Sequence, residues 1–89
     1  MEDQQARVLR RDGNAAVVQL TGRAFPGIHL QGDTFAAIQK QLAEAAVKLR
    51  RIADDHEALD DLDYAVEEMA QLLRFYEAVL TEGGMQRPY

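Results

Sequence analysis

The chain has 89 residues, 47% of them hydrophobic, with no cysteine and a formal net charge of −5. That length makes a single domain, residues 1–89, with a modest core, because a chain of this size buries only about 60–65% of its unfolded surface. Without cysteine there are no disulfides and no thiolate metal sites, and no apolar run of ~18 residues is present to span a membrane.

The opening Met1-Glu2-Asp3-Gln4-Gln5 is too polar and acidic for a signal peptide, so a cytoplasmic protein is expected. Two runs rich in β-formers follow, residues 6–10 (ARVLR) and 15–20 (AAVVQL), around Arg11-Asp12-Gly13-Asn14. Their spacing predicts a hairpin with a three-residue loop and Gly13 in the left-handed conformation. In that register Val8, Ala16, Val18 and Leu20 share one face, while Leu9 and Val17 share the other.

The stretch Leu20 to Thr34, LTGRAFPGIHLQGDT, carries the turn chemistry that converts sheet into helix. Pro26-Gly27 is a turn pair, and Ile28-His29-Leu30-Gln31 alternates as a half-buried third strand does. Gly32-Asp33-Thr34 closes that strand, with Asp33 or Thr34 expected to cap the following helix.

From about 33 to 53 the apolar period becomes helical. Phe35, Ile38, Leu42, Ala45, Leu49 and Ile52 recur at steps of three and four, and Ala36, Ala37, Ala43 and Ala46 favour helix and permit close approach of a neighbour. After the polar connector Asp54-Asp55-His56-Glu57, a second helix is expected over about 58–82. Its stripe is Leu59, Leu62, Val66, Met69, Leu73, Tyr76 and Leu80, with Leu72, Phe75 and Val79 as a second apolar row. Gly83-Gly84 ends it, leaving residues 83–89 as a tail that closes on Tyr89.

These elements predict an α+β fold: a three-stranded antiparallel sheet over about 6–31, followed by an antiparallel two-helix hairpin packed on one face (β-β-β-α-α). Charge is divided along the chain. Residues 33–53 carry net +2, whereas residues 54–82 hold ten carboxylates against Arg74 alone, net −9. No concentrated basic face exists to displace phosphate counterions, so nucleic acid is not an expected partner.

The segment AVVQLTGRAFPGIHLQGDT, together with the closing RFYEAVLTEGGMQRPY, resembles a family of small bacterial proteins of unknown function. Members share an LPGRxFPGxxxQGD-like segment, two helices and a Pro-Tyr end, and the likeness runs from about Val8 to Tyr89. Here Thr21 stands where the family pattern has proline. The resemblance implies a discrete cytoplasmic bacterial protein and carries no catalytic or binding residue to this chain.

Candidate polar residues fall into two groups. Arg23, His29, Gln31 and Asp33 could together take a small anionic ligand, with Arg23 pairing its charge and the helix start adding N–H donors. Each also has an ordinary use: loop charge, solvent-facing strand residues and helix cap. The run Asp54, Asp55, His56, Glu57, Asp60, Asp61, Asp63 matches neither a calcium loop nor a zinc helix, so no metal and no cofactor is expected. Acidic residues in a first helical turn are favoured by the helix dipole in any case.

No nucleophile–base pair is legible, for the chain has no serine and its two histidines lie in different elements. The expectation is therefore a non-enzymatic protein–protein interaction module. It would form a homodimer through Leu72, Phe75 and Val79, with Asp60, Asp61, Glu67 and Glu68 meeting a basic protein partner. An immunity- or antitoxin-type role is one form of that reading. Tyr89 is expected to fold back over the sheet near Leu9 or Val17, or to enter a partner.

Overall fold

A computed structural model describes residues 4–89. Met1, Glu2 and Asp3, part of the opening that argued against a leader peptide, lie outside the described residues. The element order is β1 (Ala6–Asp12), β2 (Ala15–Leu20), β3 (Gly27–Leu30), α1 (Gly32–Ile52) and α2 (His56–Glu82). The three strands form one antiparallel sheet in the order β1-β2-β3, which is the predicted α+β architecture.

The first hairpin is tighter than expected. Asp12 pairs with Ala15, so the loop is the two residues Gly13 and Asn14, with Gly13 at φ +58°. Two-residue hairpin turns need a positive φ at their first central position, and glycine adopts it without a Cβ clash. The compensating residue is Leu9, which is extra at a bulge between Val8 and Arg10. Beyond the bulge Val8 faces Val18, so the predicted grouping of Val8 with Ala16, Val18 and Leu20 is kept.

The β2–β3 loop is tied down by side chains. Gln19 Nε2 donates to the Arg23 carbonyl at 2.6 Å, and the Thr21 hydroxyl donates to the Gln5 carbonyl at 3.2 Å. A proline at position 21 would lack that hydroxyl, so Thr21 supplies a link between the loop and Gln5, just ahead of β1.

Helix α1 begins one residue earlier than the sequence suggests, at Gly32, and Gln31 at its cap position makes no side-chain capping bond. Asp33 sits inside the first turn, its carboxylate accepting from the Thr34 N–H at 2.9 Å. What permits the early start is the absence of a side chain at Gly32. Gly32 is buried, and a Cβ built on it would run into the Tyr76 ring of α2, meeting Cε1 at 2.6 Å. The first turn of α1 can therefore lie against α2 only because residue 32 has no side chain.

Helix α2 also starts early, because the Asp55 carboxylate caps it by accepting from the Ala58 N–H at 3.0 Å. Its end is a Schellman motif: Met85 N–H donates to the Leu80 carbonyl and Gly84 N–H to that of Thr81, with Gly84 at φ +69°. The three-residue connector leaves the helices antiparallel neighbours.

The seam between the helices differs from expectation on one side only. On α2 the predicted stripe is the packed one: Leu59 is buried, and Leu62, Val66, Met69, Leu73, Tyr76 and Leu80 are half-buried. On α1 the packed side is the small-residue row Gly32, Ala36, Gln39, Ala43 and Ala46. The large residues Ile38, Leu42, Leu49 and Ile52, expected in the seam, are exposed. Only Ala46 and Leu59 are buried hydrophobic residues among those described. The radius of gyration is 16.2 Å, against about 12 Å for a compact domain of this length.

Gly32→Ala tests the junction. At an unhindered helical position this change stabilises by about 1 kcal/mol; here overpacking against Tyr76 is expected to reverse the sign, with a net loss of about 1–3 kcal/mol in chemical denaturation. Combining it with Tyr76→Ala should cost less than the sum of the single changes, and strict additivity would disprove the contact.

Candidate functional site

The four residues considered for an anionic ligand do not line one common depression. Arg23 lines a depression with Val18, Leu20, Phe25 and Ile28. His29 and Gln31 line another, with Val8 and Asn14, since His29 shares a register row and hence a face with Ala16. Asp33 is engaged with its own helix start. His29 and Gln31 are brought together, as the alternation requires; Arg23 and Asp33 are not brought to them.

Half of the carboxylates in the acidic run are put to structural use. Asp55 caps α2, while Asp60 and Asp63 both bind Arg50 of α1, at 3.1 and 2.6 Å. Those two carboxylates, Asp63 foremost, push the Arg50 guanidinium further above its ordinary range. Glu67 pairs with Arg74 at 2.8 Å. Among the described residues no three histidine, aspartate or glutamate side chains gather where a metal ion could sit. Of the four carboxylates assigned to a basic partner, Asp60 and Glu67 are thus held within the chain, while Asp61 and Glu68 make no ion pair among the described residues.

The feature that stands out is apolar. At about 100° per residue, the α1 row Ile38, Leu42, Leu49 and Ile52 lies roughly a third of a turn from the small-residue seam. On α2 the row Leu72, Phe75 and Val79 is displaced from its own seam by roughly a third of a turn. Because the helices are antiparallel, both displacements open on the same side of the hairpin. A depression shared by Ile28, Leu30, Phe35, Leu72 and Tyr76 joins the two rows and extends them onto β3. Asp61 and Glu68 continue the α2 row toward its N-terminus, Glu68 four residues before Leu72 and Asp61 seven before Glu68. The Arg50 ion pairs lie on the opposite side, beside Ala43, Val47 and Val66.

Exposure on this face is extensive. Leu72 is 59% exposed, Phe75 70% and Ile52 80%. Leaving such a side chain in water forgoes roughly 1.5–3 kcal/mol of burial. The α1 half of the face was not assigned to an interface from the sequence. The available signal was the second period on α1, the small residues at Gly32, Ala36, Ala43 and Ala46, which competes with the large stripe for the α2 contact.

The C-terminal tail folds back, but onto α2 and not onto the sheet. The Tyr89 hydroxyl donates to a Glu77 carboxylate oxygen at 2.5 Å, and Arg87 pairs with the other oxygen at 3.3 Å. The Schellman turn reverses the chain beside the last turns of α2 and delivers both residues to Glu77. Partial desolvation, reinforced by the adjacent Glu77 carboxylate, raises the Tyr89 phenol from 10.0 to about 12. The folded state therefore favours the neutral phenol. Its contribution to stability is fully present below the ordinary tyrosine value and is lost as pH rises through the window from 10.0 to about 12. Ultraviolet titration should show one tyrosine ionising late, absent in Tyr89→Phe, with its midpoint lowered by Glu77→Gln. An unchanged midpoint in Glu77→Gln would dissociate the tail from that carboxylate.

Among the described residues, no helix is long and apolar enough to cross a membrane. No curated protein and no solved structure matches the chain. A family model, described as a family of unknown function (DUF6959), matches residues 1–89. Covered from end to end by that model, the chain belongs to this family of unknown function.

Proposed function

We propose that this chain is a non-enzymatic protein–protein interaction module whose working surface is the apolar side of the helical hairpin. The observation that carries the reading is the continuous exposure of large side chains across both helices, from Ile52 and Leu49 through Leu42 and Ile38 to Leu72, Phe75 and Val79. Contiguous apolar surface of this kind marks protein contact sites.

Asp61 and Glu68, unpaired and in line with Leu72 and Phe75, add negative charge at one edge of that surface. A partner carrying basic residues beside an apolar patch suits such an edge, with charge governing encounter and the apolar contacts governing residence. Neutralisation of a basic protein, as an immunity or antitoxin protein performs, is one specific form of this function and is favoured by the chain's small size and acidity.

The test is affinity capture with the tagged chain from its own cells at low salt, in three versions. Wild type is expected to retain a stoichiometric protein partner, its own kind included. Phe75→Glu should lose it. Asp61→Lys with Glu68→Lys should weaken capture of a basic partner and flatten its salt dependence. Capture that is identical in all three versions would dismiss the hairpin face as the working surface.

A further inference from the structure

We infer that the apolar side of the hairpin is covered by a second copy of this chain, hairpin against hairpin, as a four-helix bundle. The inference rests on the interaction reading and names its partner.

The first ground is area. The chain exposes 7518 Å², where a compact monomer of 10.0 kDa exposes about 5,200 Å². The difference, about 2,300 Å² per chain summed over sheet, loop and helices, is of the order that each protomer of an obligate dimer removes from water, about 1,000–2,500 Å². A smaller transient contact would leave most of it uncovered.

The second ground is the internal economy of the fold. With Ala46 and Leu59 as its only buried hydrophobic residues among those described, the hairpin has almost no core of its own. A fold that needs its partner in order to have a core needs one present whenever the chain is made, and a second copy meets that condition.

The third ground is shape. Each helix presents two adjacent rows, a seam row toward its neighbour in the chain and an outer row on the common side. A helix of an up-down four-helix bundle uses two such rows: one for its neighbour and one for the helices across the bundle. The outer row of α1 is purely apolar at Phe35, Ile38, Leu42, Ala45, Leu49 and Ile52. The ion pairs of Arg50 lie on the reverse side, so bringing two apolar faces together desolvates none of them. Asp61 and Glu68 do continue the α2 row, so the contact centres on Leu72, Phe75 and Val79 and leaves those carboxylates at its rim.

Sedimentation or light scattering of the wild-type chain should give about twice 10.0 kDa, with a melting temperature that rises with protein concentration. Phe75→Glu and Ile52→Glu alter side chains 70% and 80% exposed in the single chain, so a monomeric fold would tolerate them. Each is expected to raise the dimer dissociation constant at least about 30-fold. Val8→Glu and His29→Glu, on the face of the sheet opposite Ile28, should leave it unchanged.

A wild-type chain that is monomeric at concentrations of about 100 μM, well above typical homodimer dissociation constants, would overturn the inference. So would a dimer broken by the sheet-side changes and indifferent to Phe75→Glu and Ile52→Glu. If the helical variants unfold instead of dissociating, a wild-type melting temperature independent of concentration would overturn it equally. A monomer that still captures a different protein through Phe75 would remove the second copy and keep the interaction reading, whereas a monomer that captures nothing would remove both.

Discussion

The close approach of α1 to α2 is the constraint on which the rest of this structure depends. It begins at Gly32, where any side chain would meet the Tyr76 ring, and continues through Ala36, Ala43 and Ala46. A helix can turn only one side to its neighbour. Since α1 turns its small residues inward, its large ones are carried round toward the opening beside Leu72 and Phe75. The same geometry places β3 at that edge, because β3 is joined to α1 by Gln31 alone. Packing within the hairpin and exposure outside it are therefore two consequences of one choice of face.

That choice also explains which parts of the architecture could be read from the sequence. Strand positions, the two helices and the glycine stop of α2 follow from local chemistry: alternation, the three–four step, and a left-handed residue at Gly84. The α2 stripe from Leu59 to Leu80 was legible because that helix has a single strong period on its packed side. The α1 contact was not, because two rows at helical spacing compete there. Hydrophobicity ranks the row of Ile38 and Leu42 above the row of Ala43 and Ala46. Apolar periodicity reports that a stripe will be buried and is silent on whether the burying surface belongs to the same chain. The smaller differences have local causes. The bulge at Leu9 absorbs the shorter turn, and Asp55 gathers the connector into α2 by capping it.

Electrostatics in this chain is allocated by side. Arg50, the one basic residue of α1 that reaches across, binds Asp60 and Asp63, so much of the contrast between a basic first helix and an acidic second is consumed within the hairpin. Asp61 and Glu68 differ from their neighbours only in phase: one residue further along, a carboxylate leaves the Arg50 side and joins the row of Leu72 and Phe75. The sequence shows the acidity but not this partition, which depends on the rotation of α2 about its axis. Arg23 and His29 illustrate the same limit on the sheet, being close in the chain yet lining different depressions.

The sheet has its own part in this arrangement. Its first edge carries Arg7, Arg10 and Arg11 on β1, charges that discourage another strand from adding there. Its other edge, β3, is only four residues long and follows Pro26. Both edges are thus poor templates for strand pairing. Within the chain the sheet touches the hairpin chiefly where Leu30 and Phe35 approach Leu72 and Tyr76, leaving the outer rows of both helices clear of it. A sheet guarded at its edges and a hairpin open along one flank are what the proposed association through the helices requires. The tail reinforces this: by binding Glu77 it keeps Tyr89 on the last turns of α2, away from Leu9 and Val17 on the sheet.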